Sequence, residues 1–176
     1  VSGGSDKTTY YMSAGYSDQK GFIENDDYSR LTIRLNIDTD VASWLTVGAN
    51  LSGSFTDFSG DYPDMRRIVR TSPLVIPWDE NGDFIINPVG DNNINLLIPA
   101  TNDNFNVRNR FVGNFYGIVQ IPWLKGLSYR INQGNNMLYS RAFGSSIYGA
   151  GQTGDAYKNN AFQLEQTLDN ILNYTN

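Results

Sequence analysis

The sequence predicts an all-β protein: an antiparallel transmembrane β-barrel segment, about six strands of a larger barrel, with one long extracellular loop. Three observations predict it. Arg30–Phe55, RLTIRLNIDTDVASWLTVGANLSGSF, alternates apolar and polar residues through two consecutive stretches. Such alternation makes a strand with one greasy and one wet face, because successive side chains point to opposite sides. Each stretch has roughly nine to eleven alternating positions, longer than most soluble strands and enough to cross a bilayer obliquely. The links between strands also alternate, long then short, as barrel loops and turns do.

The first strand is expected over residues 8–17, with Tyr10, Met12, Ala14 and Tyr16 on one face. The polar run Asp18–Ser29 reads as a loop. Strands follow at 30–38 and 45–55, closed into a hairpin by Thr39–Ser43. Leu31, Ile33, Leu35 and Ile37 form the apolar face of the first, and Leu45, Val47, Ala49, Leu51 and Phe55 that of the second. Residues 56–106 then read as a long, non-repetitive outer loop that holds Pro63, Pro73, Pro77, Pro88 and Pro99. Within it Asp64 is placed to cap a short helix, Met65–Thr71, before Pro73. Asn81-Gly82 is a strong turn signal. Alternation resumes over 108–121 and 127–141 around the tight turn Pro122–Gly126, and Gly144–Asn160 reads as another loop. The last segment, 161–174, fits either a helical stripe or an alternating strand and is taken as a strand.

Trp44 and Trp123 each lie beside a short turn, as membrane-interface aromatics would. About eight strands are the practical minimum for a barrel with room for side chains, so this chain is expected to be part of a wider sheet. A soluble β-sandwich binding carbohydrate is the alternative, since alternation alone fits both. Strand length, link asymmetry and the paired tryptophans favour the barrel.

Composition narrows the function. Among 176 residues there is no cysteine and no histidine, which removes disulfides, Ser-His-Asp and Cys-His catalysis and most transition-metal sites. Hydrophobic residues reach only 40% while aromatics reach 13%, a balance suited to one-sided sheets. The net charge of −5, with scattered Lys and Arg, argues against nucleic acid. Asp79-Glu80-Asn81-Gly82-Asp83 lacks calcium-loop spacing and reads as a solvated turn, so no metal or cofactor is expected. Asp57, Asp61 and Asp64 have no fixed separation that would mark a glycosidase pair, and no catalytic residue is assigned. Tyr62, Trp78 and Phe84 are candidates for stacking on a substrate or touching a lid, against the plainer role of packing the loop on itself. Arg30, Arg34, Arg110 and Arg130 lie on polar strand faces, hence lumen-facing in a barrel, where structural pairing is the simplest role.

Several stretches stand in a recognisable order: Thr8–Tyr16 with Asp18–Gly21, Tyr28-Ser29-Arg30 with Arg34, Asn36 and Asp38, and Trp44–Ser52. Further on come Arg70–Pro73, Pro77, Asp79, Asn81-Gly82, Asn87-Pro88, Gly126–Arg130 and Leu172–Tyr174. Taken together they resemble the SusC/RagA family of TonB-dependent outer-membrane transporters of Bacteroidetes. Trp78 departs from the tyrosine expected there. The resemblance covers nearly the whole chain and implies an internal barrel fragment without the plug domain or the TonB-contacting segment. It further implies energised import of a large nutrient, a glycan or a peptide, across the bacterial outer membrane. The implied partners are the remaining barrel and plug, TonB, outer-membrane lipid and a SusD-like lipoprotein lid. No enzymatic activity is implied.

Overall fold

A computed structural model describes residues 1–61, 63–90, 94–146 and 154–175. Seven strands form one antiparallel sheet in which each strand pairs with the next in sequence. They are β1 (Ser2–Gly4), β2 (Thr8–Lys20), β3 (Asp27–Ala42), β4 (Leu45–Asp57), β5 (Asp103–Gln120), β6 (Leu127–Ser146) and β7 (Asp155–Tyr174). A single open meander has no second layer, which a sandwich requires. Among the described residues no large side chain is fully buried.

The two-residue period explains the faces. Directly paired residues point the same way, so Met12, Leu35 and Leu51 line up across β2, β3 and β4. Ala14, Ile33, Gly53, Phe111, Met137 and Leu164 form the next row on that face. The opposite face carries Asn36, Asn50 and Asn114 in register, and beside them Asp38, Gly48 and Tyr116. The apolar face is not uniform: on β6 and β7 it includes Asn135 and Gln166, whose amides bond each other at 2.9 Å.

Several strand limits differ from the sequence expectation. A seventh strand, β1, was missed because three residues, two of them glycine, carry no alternation. β3 spans Asp27–Ala42 rather than 30–38, so the link before it shrinks to residues 21–26 and the turn after it to Ser43-Trp44. β5 begins at Asp103 and β6 and β7 run to Ser146 and from Asp155, well into segments read as loops. Those extensions carry Phe105 and Phe143, stacked at 4.9 Å, among mostly polar residues, so backbone pairing more than side-chain pattern defines them. The long loop is accordingly 58–102. The segment 161–174 is strand, because β7 pairs with β6 along its whole length.

The short turns are staggered. The first closes at Thr8, through Ser5 N to Thr8 O at 2.7 Å, and Thr8 aligns through Thr39 with Val47. The second closes at Leu45, two residues further along β4. Leu45 aligns with Val119, and the third turn closes at Ile121, two residues further again, through Ile121 N to Leu127 O at 2.9 Å. Two residues advance the chain about 6.7 Å while two strands span about 9.6 Å. Turns at one level therefore require strands inclined by about 35°, within the range of closed barrels.

The long loop has its own small fold. Helix α1 (Met65–Ile68) is capped by Asp64, whose Oδ1 accepts from Arg66 N at 2.9 Å, but it stops at Ile68 rather than Thr71. A 3-10 turn, Ile98–Thr101, follows near the end of the loop.

Candidate functional site

The polar face is a lattice of side-chain bonds that joins strands distant in sequence. Arg30 Nε donates to Ser54 Oγ on β4 at 3.0 Å. Arg110 Nε donates to Asn136 Oδ1 at 2.9 Å, and Asn136 Nδ2 donates onward to Glu165 Oε2 at 2.8 Å, which ties β5, β6 and β7 together. Arg130 donates to Asn132 at 2.9 Å and lays its guanidinium 4.4 Å from the centre of the Tyr116 ring. Tyr116 in turn reaches across β4 and donates its hydroxyl to Asp38 on β3. Gly48 makes this possible: a Cβ there would collide with both Tyr116 and Asp38. Arg34, flanked by Ser13 and Ser52, has no such bond among the described residues. The four arginines singled out from the sequence thus share a face without forming one cluster. The Tyr116–Asp38–Arg130 group escaped sequence reasoning. Its one local signal was Gly48, a glycine where alternation calls for a polar side chain.

Above this wall, side chains of the loop and the sheet hold the two together. Asn25, at φ 66° in the β2–β3 link, donates to Pro99 O at 3.3 Å and Asn102 O at 3.0 Å. Phe58 rests against Tyr28 with ring centres 5.3 Å apart, and Arg108 lies 5.7 Å from the same Phe58 ring. The loop's own centre is Asn95, only 2% exposed. It donates to Pro77 O at 2.8 Å and Ile85 O at 3.0 Å and accepts from Leu97 N at 3.0 Å. Satisfying three backbone groups with one amide lets a chain without strands bury itself.

Trp78 and Phe84 flank the Asn81-Gly82 turn, their rings stacked at 6.1 Å and 27°. They pack on each other, and Trp78 remains about half exposed. Tyr62 lies outside the described residues. Asp79 organises the turn by accepting from Asn81 N at 2.8 Å and Asp83 N at 2.9 Å. The Asp83 amide first, then that of Asn81, holds its carboxyl below the usual carboxylate range. Among the described residues no group of three or more carboxylates is arranged to hold a metal ion. Trp44, in the β3–β4 turn, and Trp123, in the β5–β6 turn, are both exposed. A cavity of about 360 Å³ lies between the loop and the polar face of β5–β7 beyond the wall. A wider groove of about 850 Å³ runs along Ile68–Pro73, Val89 and Leu97.

No family model matches the chain. The chain is similar to three proteins of Formosa agariphila. It is 26% identical to TonB-dependent receptor P39 over 77% of this chain and 13% of the relative. It is 27% identical to TonB-dependent receptor P3 over 98% and 19%. TonB-dependent receptor P26 is 25% identical over 66% and 12%. Among solved structures, the RagAB peptide importer in its closed-closed state superposes with a TM-score of 0.75 at 25% identity, over 98% of this chain and 21% of that one. A second RagAB peptide transporter structure gives 0.74 at 26% identity. The chain spans about a fifth or less of the length of each relative it matches. In sequence and in shape the chain is thus similar to a barrel section of SusC/RagA-type TonB-dependent transporters.

Proposed function

We propose that the chain forms part of the wall, and one outer loop, of an active importer in the bacterial outer membrane. The observation that carries this reading is the two-faced sheet. Among the described residues its apolar side has no second layer against it, and its polar side bears the bonded arginine lattice. From Leu45, beside Trp44, to Phe55 the apolar face of β4 runs eleven residues, about 33 Å along the strand. At an inclination of about 35° that spans about 27 Å, close to the apolar band of outer-membrane barrels. Just beyond Phe55 the same face turns charged at Asp57, aligned with Asp18 through Ser29.

In this reading Arg30, Arg34, Arg110 and Arg130 line the lumen, where they meet the plug or the passing nutrient. Trp44 and Trp123 sit at the periplasmic interface. TonB, acting through a segment outside this chain, displaces the plug and lets in a large nutrient, a glycan or a peptide. A SusD-like lipoprotein closes over loop 58–102, whose Val69, Leu74 and Ile76 are solvent-facing, Leu74 at 87% exposure. Tyr62, Trp78 and Phe84 belong to this outer loop, and the Trp78–Phe84 stack shapes the surface that lid or nutrient would meet. No catalytic step is assigned to any residue.

The test is fractionation of cells that express the native polypeptide. A product several times larger than 19.7 kDa in the outer membrane, with nutrient uptake lost when TonB is deleted, is the expected result. A soluble product of about that mass would overturn it.

A further inference from the structure

The cavity beneath the long loop has walls of two kinds. One is aliphatic and comes from the loop: Ile98, 3% exposed, with Ile94 and Pro99. The other carries Asp61, Asp64 and Asp155 against Arg67, so the described lining is net negative. Two of these carboxylates are aimed by fixed partners. Asp61 Oδ2 accepts from Asn102 Nδ2 at 3.0 Å, and Asp64 Oδ1 is held by the amides of the α1 cap. Each keeps a second oxygen to offer, since an ionised carboxylate accepts at both. The volume, about 360 Å³, lies within the range of small-ligand pockets.

These walls select among ligands. An anionic sugar meets net like charge. A bare divalent cation needs its carboxylates drawn together, and the described residues hold no such group. An aliphatic stem ending in a cation suits both walls at once, because the stem covers Ile98 and Pro99 while the head reaches the carboxylates. We propose that this cavity is a subsite for a lysine or arginine side chain of an imported peptide. The proposal rests on the importer reading above and narrows its nutrient to a peptide with a basic residue.

The experiment uses the full-length transporter purified from outer membranes with its lipoprotein partner. Fluorescence anisotropy compares a labelled hexa-alanine peptide bearing one central lysine with the same peptide bearing glutamine, and with a labelled neutral hexasaccharide. The lysine peptide is expected to bind about tenfold tighter or more, with a preference that shrinks as salt rises. The double variant Asp61→Asn, Asp155→Asn is expected to abolish the preference. Unchanged glutamine-peptide affinity and unchanged outer-membrane levels would show that it folds. Equal binding of the two peptides, or a preference that survives the double variant, overturns the subsite and leaves the importer intact. Binding of the hexasaccharide alone overturns the peptide assignment. A protein absent from the outer membrane overturns the importer reading itself, and the subsite with it.

Discussion

The two faces of the sheet hang on the same backbone ladder and are stabilised in opposite ways. On the apolar face, cross-strand contacts such as Phe55 edge-on to Phe111, ring centres 5.3 Å apart, are between hydrocarbon groups. Some of the polar groups there bond to each other: Asn135 to Gln166, and Tyr129 to Asn170 at 2.5 Å. On the polar face the contacts are directional and reach further, as when Tyr116 crosses a whole strand to Asp38. The difference teaches which substitutions matter. One face tolerates shape changes but not charge. The other tolerates charge but not a blocked path.

The sharpest way to break this comparison is to place the same cation on adjacent residues. Leu35→Arg, in mid-strand on the apolar face, is expected to cost about 2–4 kcal/mol of barrel stability. Asn36→Arg, on the polar face, should stay within about 0.5 kcal/mol. Urea unfolding of the full-length protein in lipid vesicles measures both, and equal costs would mean that the faces are misassigned.

Gly48→Val comes next, because its side chain would occupy the path of Tyr116; overpacking of this kind costs about 1–3 kcal/mol. Tyr116→Phe keeps the ring over the glycine and loses only the bond to Asp38, about 1–3 kcal/mol. If both substitutions together cost no more than Gly48→Val alone, the glycine serves the tyrosine bond. Full additivity would separate them.

Asn95→Ala moves the comparison from wall to loop. It leaves Ile85 O without its amide partner, and Pro77 O with only the Ile85 N–H at 2.9 Å, and is expected to cost about 1–3 kcal/mol. Limited proteolysis should then cut within 58–102 while the barrel stays intact. Destabilised strands would show that loop and wall fold as one unit.

The smallest effect concerns Asp79. Its carboxyl titrates below the usual carboxylate range, so its support for the turn is present above that range and lost as pH falls through the lowered value. Protease sensitivity around Asn81-Gly82 should therefore rise only in acid, and Asp79→Ala should show it already at neutral pH.

The wall was legible in the sequence because each side chain reports its own face. Leu31, Ile33, Leu35 and Ile37 sufficed to give β3 its two faces, but the register did not follow, because the turn is Ser43-Trp44 and Asp38 pairs with Gly48. The strand ends were not legible, because Ala142–Ser146 and Asp155–Asn160 are mostly polar, and the stack of Phe143 on Phe105 at 4.9 Å depends on which residues pair across strands. The polar lattice was half legible. Arginines on the right face can be listed from alternation, but their partners depend on which residues pair across strands. Arg110 finds Asn136, 26 positions away, and Tyr116 finds Asp38, 78 positions away. The loop's centre was the least legible: Asn95 has no neighbour in sequence that announces it, and its partners Pro77 and Ile85 lie 18 and 10 residues earlier.

The two-residue link Ser43-Trp44 imposes a parity rule on variation. One residue inserted there, if the strand ladder re-forms by slipping a step, would turn Leu45, Val47 and Leu51 onto the polar face and Asn50 and Ser52 onto the apolar one, exchanging the two faces for every strand that follows. Two residues would restore the faces and only lengthen the turn. Single-residue insertions and deletions in this lineage should therefore collect in loop 58–102 and in the link between β6 and β7, while the short turns change by pairs or not at all.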